Sequence, residues 1–112
     1  MTERDSTVLF RDMLEYALDA VSFVRGKERS DLDADKQLRL ALIRALEVIG
    51  EAASQIPKSI RDGRPEIPWV PIIGLRNRLV HVYAAVNLDV VWRIVQEDLP
   101  PLIVGLRKAL EE

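Results

Sequence analysis

One stretch of eight residues, Arg76-Asn77-Arg78-Leu79-Val80-His81-Val82-Tyr83, carries a guanidinium, the only imidazole of the chain and a phenol. An imidazole titrates near pH ~6.5 when unperturbed and can act as general acid or general base. A guanidinium presents a planar fork of donors that matches the oxygens of a phosphate or carboxylate. Asn77 can orient a phosphate or a neighbouring side chain. Together these groups could move a proton beside a bound anion. Each also has a plainer reading: a capping or surface histidine, a tyrosine at the edge of a core, a solvated asparagine. Arg78 is read as a solvated charge or a contact to backbone phosphate.

Arg76 is the least ordinary of them. On an ideal helix of about 100° per residue, Trp69, Ile72, Ile73, Leu79 and Val80 fall within about 60° of it. A charge then points from the middle of a face that should enter the core. Burying it unpaired costs several kcal/mol, so Arg76 must pair with a carboxylate, hold an anion or line a cleft. His81 lies about 140° further round and shares that cleft only if the helix loosens near its end. Glu51 has two readings, a solvated carboxylate paired with Arg44 or a partner of Arg76 in the cleft.

The elements that must position these residues are helical. Phe10, Leu14, Ala17, Val21 and Val24 alternate spacings of four and three, which predicts a helix over about Asp5–Arg25, ended at Gly26. Leu38, Leu42, Ala45, Ile49, Ala52 and Ile56 predict a second over about Asp33–Ile56, with Asp31 or Asp33 as its cap and Pro57 as its stop. Four of the six prolines lie in 57–71, so that stretch reads as a loop. Pro68 suits the first position of a third helix reaching about His81. Asn87 reads as the cap of a fourth, whose stripe Leu88, Trp92, Val95, Leu99, Leu102, Leu106 and Leu110 stays in phase across Pro100-Pro101. That helix should therefore be kinked at the two prolines. The expected fold is all-α, an up-and-down four-helix bundle occupying residues 1–112 as one domain. Leu40, Ala41 and Val48 lie off the main stripe of the second helix and predict a homodimer seam.

Composition narrows the chemistry. Hydrophobic residues make up 48% and charged residues 30%, the balance of a globular domain. With no cysteine and one histidine, disulfides, thiolate zinc sites, iron–sulfur clusters and cysteine nucleophiles are excluded, and no metal or cofactor is expected. No apolar run approaches the ~18 residues of a membrane span, and the polar start resembles no secretory signal. A soluble protein of the cytoplasm is expected. Net charge is −2, yet residues 57–83 carry five basic groups against two acidic ones. The basic excess sits on the segment that holds the histidine.

The spacing Arg76-x4-His81-x-Tyr83, with Asn77 after the arginine, resembles the motif of HEPN-domain ribonucleases, specifically the HepT-like toxins. Gly50-Glu51-Ala52-Ala53, Ile67-Pro68-Trp69 and Val90-Val91-Trp92 resemble further landmarks of that family, so the likeness spans roughly residues 8–110. It implies a dimeric helical protein with two Arg/His pairs around a shared cleft, and metal-independent cleavage of RNA. It also implies restraint by an MntA-type nucleotidyltransferase antitoxin. Carried over, His81 is the acid/base residue and Arg76 the phosphate-binding residue, with Asn77 and Glu51 in support and Tyr83 accepting AMP from the partner. A second reading makes the chain a non-catalytic helical subunit that grips a nucleotide or docks the nucleotidyltransferase.

Overall fold

Apolar residues at helical spacing become buried lines, and those lines decide how the chain packs. The computed structural model describes the backbone of residues 3–79 and 87–111. Helix α1 (Glu3–Phe23) buries Phe10, Met13, Ala17 and Ala20, with Leu14 and Val21 half-buried beside them and Val24 buried just past its end. Gly26, at φ 74°, turns the chain out of it. That left-handed conformation is open to glycine at no steric cost.

The second predicted helix divides in two. A single turn, α2 (Asp31–Ala34), precedes the long α3 (Lys36–Gln55), and the residue between them, Asp35, is extended at φ −116°. Asp35, not Asp31 or Asp33, caps α3, its carboxylate accepting from the Leu38 amide at 3.0 Å. Asp31 instead accepts from the Glu28 amide at 2.6 Å, which closes the preceding turn. Helix α3 stops as predicted, with Ile56 extended before Pro57, because the proline ring crowds a helical residue in front of it.

The proline-rich stretch is more ordered than a loop. It contains a short helix, α4 (Lys58–Asp62), and Trp69 Nε1 donates to the Arg64 carbonyl at 2.9 Å. The third predicted helix begins at Trp69 but is broken. Gly74 separates α5 (Trp69–Ile73) from α6 (Leu75–Leu79). The extension to about His81 lies outside the described residues.

Asn87 caps α7 (Leu88–Arg93) as expected, its side-chain oxygen accepting from the Asp89 and Val90 amides. Where a kink at Pro100-Pro101 was expected, the chain forms a π-turn over Ile94–Asp98, just before the prolines. There the Leu99 amide reaches five residues back to the Ile94 carbonyl. Pro100 and Pro101 supply no N–H to the preceding turn, and their rings would crowd its carbonyls, so a wider turn relieves both problems. Helix α8 (Leu99–Glu111) then continues the buried stripe through Leu99, Leu102 and Leu106.

These pieces close a ring of four helical arms, the all-α bundle expected. Helix α1 packs along α3 and α8, α3 carries α5 and α6, and α6 meets α7. Two positions need the absence of a side chain. A Cβ on Gly105 of α8 would lie 2.6 Å from Ile67 Cγ1, and one on Gly50 of α3 would lie 3.2 Å from Leu75 Cβ. Polar links fasten the ring at its rim. Arg29 pairs with Asp89 at 2.7 Å and with Asp33 at 3.2 Å. Leu40, expected at a dimer seam, is 57% exposed, while Ala41 and Val48 are half-buried. Among the described residues no helix is long and apolar enough to cross a membrane.

Candidate active site

The polar face of α3 repeats at helical spacing. Arg44, Glu47, Glu51 and Ser54 are separated by three, four and three residues, so they stand in one line on the side away from the Leu38–Ile56 stripe. Facing them, α5 and α6 contribute Ile73, Arg76 and Asn77. The two walls enclose a groove of about 430 Å³ whose floor includes Gly50. The missing Cβ explains how close the walls come. On Gly50 it would sit 3.4 Å from the Ile72 carbonyl oxygen and 3.8 Å from the Arg76 amide nitrogen. Glycine at this position lets the start of α6 rest closely on α3, with the Arg76 backbone beside Gly50.

Arg76 is exposed, not on the core face expected for it. Leu75 and Leu79 enter the core instead, each fully buried. Gly74, at φ −76° and ψ 0°, separates α5 from α6. Ile72, Leu75 and Leu79 fall within about 60° of one another on a helical wheel and are all buried, and Arg76, at the edge of that sector, turns to the groove. Among the described residues Arg76 makes no ion pair and no hydrogen bond, which leaves its fork of donors available. Of the three outcomes open to this arginine, it lines a cleft.

Glu51 is brought to that cleft. It is exposed, and neither pairing considered for its carboxylate, with Arg44 or with Arg76, is formed; only its backbone oxygen is engaged, accepting from Ser54 Oγ at 2.7 Å. Asn77 is exposed on the same rim. The structure thus gathers Glu51, Arg76 and Asn77 around one groove. His81 and Tyr83 lie outside the described residues.

Arg78 departs from its expected role. It is half-buried, and its Nη1 donates to Asp98 Oδ2 at 2.6 Å, tying α6 to the π-turn twenty residues on. It is a structural fastener two residues from Arg76. No signal in α6 alone could reveal this, because Asp98 lies twenty residues on in the chain. Arg44, Glu47 and Ser54 were legible as lining residues, since they repeat on the face that carries Glu51. Among the described residues no group of three or more metal-ligating side chains is assembled.

Comparisons with known proteins point the same way. The family model described as "Ribonuclease HepT-like" matches residues 13–109. A protein of Thermococcus cleftensis named "Probable ribonuclease HepT" is 38% identical over 96 residues, covering 82% of this chain and 87% of its own length. A protein of Methanocaldococcus jannaschii named "Putative RNase MJ1380" is 38% identical over 102 residues, covering 91% of this chain and 94% of its own. No solved structure matches significantly.

Proposed function

We propose, on the premise that this chain belongs to the HepT-like ribonuclease family, that it is an endoribonuclease using side-chain chemistry without a metal ion. The observation that carries the proposal is Arg76, an exposed guanidinium with no partner among the described residues, set in a groove beside Asn77 and Glu51. RNA supplies its own nucleophile, so the protein needs only to move protons and to hold developing negative charge. A base removes the proton of the 2′-hydroxyl, the 2′-oxygen attacks phosphorus in line, and the bond to the 5′-oxygen breaks as that oxygen is protonated. The products are a 2′,3′-cyclic phosphate and a 5′-hydroxyl. His81 serves the proton steps and Arg76 grips the phosphate, while Glu51 and Asn77 keep the guanidinium and the phosphate oriented.

One imidazole per chain is thin for two proton transfers, and a homodimer that brings two His81 residues to one cleft supplies both. The exposed Leu40 gives such a dimer apolar surface to cover. In the cell, the chain acts in the cytoplasm as the toxin of a toxin–antitoxin pair whose other member is an MntA-type nucleotidyltransferase. The test is direct. Purified protein incubated with RNA in EDTA should generate cyclic-phosphate and 5′-hydroxyl ends, read by end-specific labelling. Binding of RNA or of the nucleotidyltransferase without cleavage would favour the non-catalytic subunit instead.

The antitoxin acts through Tyr83. Its phenolic oxygen attacks the α-phosphorus of a nucleoside triphosphate, pyrophosphate leaves, and AMP stays on the ring. A phosphodiester charge and an adenosine are thereby placed near the anion site. Co-expression with the cognate nucleotidyltransferase should add one or more AMP masses to the chain. Tyr83→Phe should abolish the adduct and, while the variant stays active, escape neutralisation. An adduct mapped elsewhere by mass spectrometry would sink this role for Tyr83.

A further inference from the structure

Arg44 stands at the other end of the same groove, and no role has been assigned to it. It is exposed and forms no ion pair or hydrogen bond among the described residues, although Glu47 lies one turn away on the same helix. Two free guanidinium groups, Arg44 and Arg76, therefore face one cavity from opposite walls. Arg76 sits at the level of Gly50. Six residues of α3 separate Gly50 from Arg44, a displacement of about 9 Å along the axis. Glu47 lies between, about 4.5 Å from Arg44 on the same scale.

We infer that Arg44 binds a second backbone phosphate of single-stranded RNA, adjacent to the one held by Arg76. This rests on the ribonuclease reading above and deepens it. The charges along the groove act as a ruler: phosphates are drawn to the Arg44 and Arg76 guanidinium groups and repelled from the Glu47 and Glu51 carboxylates of the α3 wall. Glu47 can accept there only from donors, which a nucleotide offers as its 2′-hydroxyl and base amino groups. A substrate with one phosphate engages Arg76 alone, whereas a longer strand spans the whole groove.

The experiment compares a dinucleotide, with one phosphodiester, against a tetranucleotide, using wild type and Arg44→Ala. The loss in kcat/KM caused by Arg44→Ala should be about tenfold greater on the tetranucleotide, the size expected for one charge-assisted contact. The added loss should fall mainly in KM. The salt dependence of single-strand binding, followed by fluorescence anisotropy, should become shallower by about 0.7 in log–log slope, the value of one phosphate on a single strand. Arg44→Lys should recover most of the difference, because a point charge also holds a phosphate. Equal losses on both substrates, or an unchanged salt slope, would overturn the inference and leave the ribonuclease reading intact. A wild-type protein that cleaves neither substrate would remove that reading, and this inference with it.

Discussion

His81→Ala should lower the rate of RNA cleavage by about 10²–10⁴-fold, the range commonly contributed by a positioned proton-transfer group, while leaving the fold intact. The effect should be at the large end, because the chain has one histidine and no other imidazole can take over. Residual proton transfer would fall to water. The expected change lies in kcat under single-turnover conditions, with RNA affinity retained through the phosphate contacts. A homodimer sharpens the test. Mixed dimers of His81→Ala and Arg76→Ala subunits have one intact histidine and one intact arginine. With one of the two imidazoles gone they should stay far below the wild-type rate, and full recovery would show that a single His81 serves both proton steps in a common cleft. Wild-type cleavage by His81→Ala would exclude the acid/base role outright.

Arg76→Lys should fail nearly as badly, by about 10²-fold, the lower cost of losing a single transition-state donor. The charge is kept and the geometry is not. An ammonium is a point charge that cannot make two parallel bonds to a phosphate as its oxygens gain charge. The fold should not register the change, since Arg76 is exposed and bonded to nothing among the described residues. A melting curve matching wild type, together with a fall in kcat, would separate chemistry from stability. Cleavage by Arg76→Lys at the wild-type rate would show that the fork does not matter.

What was legible in the sequence, and what was not, follows from how local each signal is. The buried faces of α1, α3 and α8 repeat every three or four residues over long spans, so tertiary packing had only to honour them. Asn87 is as local: a short amide side chain before Asp89, accepting from the two amides that follow it. Asp35 was missed because several aspartates compete for one cap, and the choice depends on where α2 ends. The two prolines signalled an irregularity in the last helix, but not that it would be a π-turn before them. For the site, type and spacing singled out Arg76 and Asn77, and the family resemblance added Glu51, whereas the direction of Arg76 could not be read. On a wheel of about 100° per residue Arg76 borders the buried sector of Ile72, Leu75 and Leu79, and only packing decides on which side of that border it falls. Arg78 was misjudged for a related reason, since its partner Asp98 is set by long-range packing.

Helices α5 and α6 have five residues each, far below the ~12–15 at which an isolated helix becomes even marginal. They owe their existence to the surface on which they rest. The wall bearing Arg76 is held by the close approach at Gly50, the buried Ile72, Leu75 and Leu79, and the Arg78–Asp98 clasp. The α1–α3–α8 body has long interfaces of its own and does not depend on that wall in the same way. Local opening free energies within a fold range from near zero up to the global value. The wall belongs toward the lower part of that range and the body toward the top. The groove can thus be taken apart while most of the bundle stands, and its amides should exchange with solvent ahead of those in α1 and α3. Activity and global stability are, in this architecture, separately adjustable quantities.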